Sequence, residues 1–269
     1  MTTRPCLTPA RSATLDGMNN YDLHSRTAVV TGAASGMGAA TAALLAAGGA
    51  RVALLARRRN RVEELAAKIE AAGGTALAVT ADVTDQAAVT AAADRIGATL
   101  GPVDLVVNAA GVMLPNPIGE ARREEWARMI DTNLTGALDV ISAFLPGLRA
   151  AAAAGRPADL VNISSIGAHV LFPNYAVYSA TKAALTQLSA GLRAELGPES
   201  VRVTNIEPGL TDTELGGHID NGALSGQLDA MFQALPALSA DDVADLIGYV
   251  TSRPRHVNLR QVIVLPTPQ

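Results

Sequence analysis

Seven short runs of almost unbroken apolar residues recur along the 269-residue chain, most of them followed by a stretch with helical spacing. They fall at 27–30, 52–56, 76–80, 103–107, 160–163, 201–206 and 261–265, with helical stretches at 36–48, 60–72, 86–100, two between 122 and 154, one from 175, and one at 241–251. A strand with one wet face alternates apolar and polar residues, whereas a strand covered on both faces reads as solidly apolar. The pattern therefore predicts one doubly wound α/β domain, with a mostly parallel seven-stranded sheet and helices on both faces. Hydrophobic residues make up 49% of the chain and charged residues 17%, enough apolar material for two cores flanking such a sheet. The stretch 150–157 is too short to divide domains, so residues 26–269 are read as one unit. Residues 1–25 are read as a flexible N-terminal extension, and Met18, just ahead of the first run, raises the expectation that 1–17 lie upstream of the true start. The stretch 208–238 reads as irregular and Gly-rich.

Composition excludes several partners. A net charge of −4 with no long basic block argues against nucleic acid and anionic membrane. The single cysteine, Cys6, has no disulfide partner, and neither a secretory signal nor a bilayer-length apolar run is evident, so a cytoplasmic location is expected. His169, His218 and His256 show no metal-ligand spacing, and no metal is expected.

Directly after the first run stands Thr31-Gly32-Ala33-Ala34-Ser35-Gly36-Met37-Gly38, opening a helix. Glycines at 32, 36 and 38 allow a tight turn and close backbone approach to a pyrophosphate at the positive end of that helix. A bare glycine triplet can be a mere connector, but its place after the first strand of an alternating chain makes the domain Rossmann-like and dinucleotide-binding. Where an NAD site would offer an acid to the ribose at the end of the second strand, this chain has Arg57 and Arg58. A guanidinium there suits a 2′-phosphate and predicts NADP(H), with Arg57 the favoured contact; Arg59 and Arg61 read as a solvated helix start.

Only two lysines, Lys68 and Lys182, and four tyrosines occur, so Tyr178-Ser179-Ala180-Thr181-Lys182 is an improbable coincidence. Positions i and i+4 share a helix face. An ammonium held beside a phenol lowers its pKa, suiting it to exchange a proton with a carbonyl or alcohol oxygen near neutral pH.

Together with Asp82-Val83, Asn108-Ala109-Ala110-Gly111, Asn133, Ser165 and Pro208-Gly209, these motifs resemble the short-chain dehydrogenase/reductase (SDR) family from about residue 26 to 265. The resemblance implies an NADP-binding catalytic domain in which Ser165 bonds the reacting oxygen, Tyr178 is general acid and base, Lys182 binds the ribose, and Asn133 holds a water linking Lys182 to solvent. It further implies that Asp82 and Val83 lie at the adenine, and that Gly111, Asn108, Pro208, Gly209, Thr211 and Thr213 complete the cofactor site. Ser164 is read as structural. Ala109 stands where the family has a second Asn, which puts one hydrogen bond in doubt. A homodimer or homotetramer through the central helices is likewise implied.

The segment 210–238 is expected to form the substrate lid, with Glu214, His218 and Asp220 candidates for a polar pocket. The chain's end and the segment 207–215 resemble the subgroup of bacterial 3-hydroxy acid and clavulanic acid (clavaldehyde) dehydrogenases, implying a small polar substrate. Two other readings stay open: a reductase of carrier-bound β-ketoacyl or polyketide groups, docked through Arg122, Arg123 and Arg128, and a noncatalytic NADPH-binding regulator.

Overall fold

The computed structural model describes residues 21–269. Its strands are β1 (Thr27–Thr31), β2 (Arg51–Ala56), β3 (Thr75–Thr80), β4 (Leu105–Asn108), β5 (Asp159–Ile163), β6 (Arg202–Pro208) and β7 (Gln261–Val264). All pair in parallel, in the order β3-β2-β1-β4-β5-β6-β7. The chain builds outward from β1 to β3, then crosses back and continues from β4 to β7. That reversal opens a crevice at the carboxyl ends of β1 and β4, where doubly wound sheets bind ligands.

The helices are α1 (Gly36–Ala47), α2 (Arg59–Ala71), α3 (Gln86–Leu100), α4 (Arg123–Ile130), α5 (Gly136–Ala153), α6 (Ala176–Leu196), α7 (Gly222–Ala234) and α8 (Ala240–Thr251). Successive strand residues enter opposite cores. Ala28 and Val30 of β1 pack with Leu45 of α1, Val62 of α2 and Ile247 of α8, while Val29 between them joins Ile96 of α3 and Leu148 of α5. Both faces being covered is the physical reason the inner positions of β1, β2 and β4 are apolar one after another.

At the starting edge of the sheet, opposite the crevice, Arg26 meets Asp104 and Asp159 at 2.7 Å each, and Arg202 meets Asp159 at 2.7 Å. All four side chains are buried. The fourth strand begins at Leu105, two residues after the expected start, and Asp104 just ahead of it joins this ion-pair group.

Two expectations need correction. The extension does not run to residue 25: Tyr21 and Leu23 are buried in the core with α1 and α8, so packing begins by Tyr21, and the Met18 reading lies outside the described residues. The stretch 208–238 is not wholly irregular, since α7 occupies its second half, with Asn221 Oδ1 accepting from the Ala223 and Leu224 amides at its start. One helical stretch, Arg123–Ala153, is long and apolar enough to cross a membrane by length and composition alone. Within the fold, however, Val140, Ile141, Phe144 and Leu148 of α5 pack into the second core, the arrangement of a core helix.

Candidate active site

The crevice is built first by the turn between β1 and α1. Gly32 and Gly36 have φ of +66° and +52°, a region that favours glycine. A Cβ on Gly38 would fall 2.5 Å from the Gly32 carbonyl oxygen, so helix and strand can approach this closely only without a side chain. Thr31 Oγ1 accepts the Ala109 and Ala110 amides at 3.1 Å each, tying this turn to the end of β4. The first turn of α1 carries no acid and its start has no side-chain cap, leaving amides and the positive helix end facing the crevice. An anionic dinucleotide fits this cradle.

Arg57, Arg58, Asp82 and Val83 line the far wall. Arg58 donates to Ser35 Oγ and to Glu214 Oε2, the latter at 2.7 Å. Arg57 lies 3.7 Å from Asp82 and is more than half exposed. Asp82 also accepts from the amide and hydroxyl of Thr84, so it shapes its own turn as well as the wall.

Opposite stand Tyr178 and Lys182, one helical turn apart on α6 and both buried. Lys182 Nζ donates to the Ile163 carbonyl at the end of β5 (2.8 Å) and sits 5.9 Å from the Tyr178 ring centre. Ser165 Oγ accepts the Gly167 amide (3.0 Å) and lines the second cavity together with Tyr178. Tyr175 packs edge-on to Tyr178 and Phe172 edge-on to Tyr175, fixing the phenol's direction. Asn133 lies in a π-helical turn, Asp131–Thr135, between α4 and α5. Its Oδ1 accepts the Val112 amide (2.8 Å), and its Nδ2 donates to the Val112 carbonyl and to Thr181 Oγ1. A Cβ on Gly111 would lie 3.3 Å from Asn133 Oδ1 and 3.6 Å from Lys182 Nζ, so glycine keeps that gap open.

Burial dominates the electrostatics. It pushes the Tyr178 phenol above its ordinary 10.0, with the Ser165 hydroxyl opposing, and pulls Lys182 down to about 8. The expected lowering of the phenol by Lys182 is therefore not delivered by this chain alone: desolvation of the phenolate outweighs the partners around it.

A second cavity of about 310 Å³ adjoins the crevice. The two share Met37, Ser164, Tyr178, Thr213 and Leu215, which places the phenol at their junction.

Residues 26–223 match the family described as short chain dehydrogenase. The chain belongs to the short-chain dehydrogenase family. This short-chain dehydrogenase is 35% identical over 246 residues to serine 3-dehydrogenase of Rhizobium radiobacter, covering 91% of this chain and 95% of that protein. It is 36% identical over 242 residues to sulfoacetaldehyde reductase 2 of Chromohalobacter salexigens, covering 90% and 94%. Its fold matches the closed form of serine dehydrogenase complexed with NADP+, with a TM-score of 0.83 and 32% identity over 90% of this chain and 96% of that one. These relatives do not single out the clavulanic acid dehydrogenases expected from the C-terminal motifs; serine dehydrogenases stand out instead.

The short-chain dehydrogenase brings most of the anticipated residues to the crevice, with exceptions. Asn108 lines neither cavity; its Nδ2 bonds Asn162 Oδ1 (3.0 Å) between β4 and β5. Pro208, Gly209, Thr211 and Ser165 line the second cavity, and Thr213 lines both. Ser164, read as structural, donates to the Lys182 carbonyl and also lines both cavities. Glu214 and His218 face the crevice, and Asp220 pairs with Arg122, so the polar pocket expected of these three is not formed at the second cavity. Sequence reading missed Asn162, and it missed Leu228, Met231 and Phe232 of α7 on the cavity wall. Their spacing of four, three and one from Leu224 was a helical signal masked by Gly222 and Gly226.

Proposed function

We propose that this chain is an NADPH-dependent oxidoreductase acting on a carbonyl or alcohol, with Tyr178 as general acid in reduction and general base in oxidation. The observation that carries this reading is the buried Tyr178 phenol at the junction of the two cavities, with the Ser165 hydroxyl and the Lys182 ammonium beside it. When bound, the cofactor supplies or accepts the hydride. As a hydride reaches carbon, charge grows on the oxygen, and the O–H groups of Tyr178 and Ser165 are placed to stabilise it. Lys182 spends one N–H on Ile163, leaving two for ribose hydroxyls. Asn133 and Gly111 border the gap beside Lys182, where a water would complete a proton path. Arg57 and Arg58 would meet the 2′-phosphate, Asp82 and Val83 the adenine, and the turn from Gly32 to Gly38 the pyrophosphate.

The carrier-docked reading gains nothing from Arg122, which is already paired with Glu120, Glu125 and Asp220. A regulator would have no use for Ser165, Tyr178 and Lys182 meeting in one place. We also propose a homodimer or homotetramer through the central helices, where Ile130 and Leu138 are exposed; sedimentation of a monomer would contradict it.

The test is NADPH oxidation over a panel of aldehydes, ketones and 3-oxo thioesters, with the variant Tyr178→Phe. The variant should lose turnover by at least about a hundredfold while still binding NADPH. Retained turnover would refute the assignment of the acid.

A further inference from the structure

We infer that the carbonyl or alcohol turned over here carries an uncharged, largely apolar substituent, and that anionic substrates are selected against; this rests on the proposed function and names its substrate class. The second cavity is where a substituent attached to a carbon beside Tyr178 must lie, because the crevice on the other side carries the turn and the paired arginines that suit a dinucleotide. Its walls come from Met113 and Ile166, from Phe172 and Tyr175, and from Met231 and Phe232 of α7. No Asp, Glu, Lys, Arg or His side chain among the described residues lines it. The crevice, by contrast, is lined by Arg57, Arg58, Asp82, Lys182, Glu214 and His218.

Nearby charges are already engaged elsewhere. Glu207 is wholly buried and accepts from Thr186, Asn205 and Gln261, with His169 at 2.9 Å. Arg58 holds Glu214, and Arg122 holds Asp220. Besides hydroxyls such as those of Ser165, Thr211 and Thr213, the polar side chains that reach the cavity are the neutral amides of Asn174, Gln227 and Gln269, of which Gln269 Oε1 accepts the Leu210 amide (2.8 Å). A carboxylate or sulfonate entering here would leave water without gaining a cation. Serine and sulfoacetaldehyde, named for two relatives, both carry an anionic group, and the wall that would hold one is absent from this cavity's described residues. Size agrees: about 310 Å³ is within the range of small-molecule pockets.

The experiment measures kcat/KM for NADPH-dependent reduction of straight-chain aldehydes and methyl ketones of rising length, beside size-matched 3-oxo acids and sulfoacetaldehyde. Each added methylene should raise kcat/KM about fourfold until the cavity fills. The anionic partner of each matched pair should be slower by about a hundredfold or more. Anionic substrates equal to or better than their neutral partners would overturn the inference. Phe232→Ala should flatten the chain-length slope, and an unchanged slope would overturn the placement of the substituent. Should no substrate turn over, the proposed activity fails, and thermal shift of the NADP+-loaded chain then judges the cavity by itself. A larger shift with apolar alcohols than with hydroxy acids supports the inference, and an equal or smaller one overturns it.

Discussion

Lys182 is buried without a carboxylate partner among the described residues, and its ammonium is brought down from an ordinary 10.5 to about 8. The folded chain therefore holds this proton less tightly than the unfolded chain does. Below pH 8 the charge opposes folding by about 3 kcal/mol, and stability from this group climbs as pH rises from about 8 to 10.5. Lys182→Met should accordingly melt higher than the parent at pH 7, with the margin shrinking by pH 9.5, while turnover is lost. Melting curves at the two pH values check this, and a margin that ignores pH would contradict it. Arg57, by contrast, is exposed and lies 3.7 Å from Asp82. If it meets a 2′-phosphate, Arg57→Ala should weaken NADPH binding about tenfold and leave NADH binding unchanged. Titration of both cofactors separates this from a general loss of binding.

Among the elements, β1, its turn and α1 act as one piece, because Gly38 packs against the Gly32 carbonyl with no room for a methyl group. Gly38→Ala must push the helix start away from the turn, and NADPH binding should fall about tenfold or more, with melting temperature reduced. Calorimetric titration of NADPH measures it. These elements were legible in the sequence because the inner strands are apolar on both faces, the glycine turn and the arginines follow strand ends, and Tyr178 and Lys182 share a helix face. Tyr178 and Lys182 could be paired by spacing alone, whereas preferring Ser165 to Ser164 takes the family's spacing to Tyr178. The cavity wall could not be read this way. It gathers residues from after β4, after β5, the start of α6, the end of β6 and α7, and α7 itself was hidden by two glycines. The direction of the Tyr178 pKa also escaped, since i,i+4 spacing reports the neighbour and not the burial that outweighs it.

Across the whole molecule, the buried guanidinium and carboxylate pairs at the starting edge of the sheet join β1, β4, β5 and β6. Asp159 is bonded by both Arg26 and Arg202, so Asp159→Asn leaves two buried cations short of their shared anion. The variant should lose about 3–5 kcal/mol, read as a lower urea midpoint, with its active-site residues untouched. Arg202 also donates to the carbonyls of Thr251, Arg253 and Val257, which brings in the end of α8 and the loop before β7. No half of this protein is a smaller working copy of itself. A piece cut between β5 and β6 would keep Arg26, Asp104, Arg156 and Asp159 but surrender Arg202, and with it two of the hydrogen bonds that hold the buried Asp159 carboxylate.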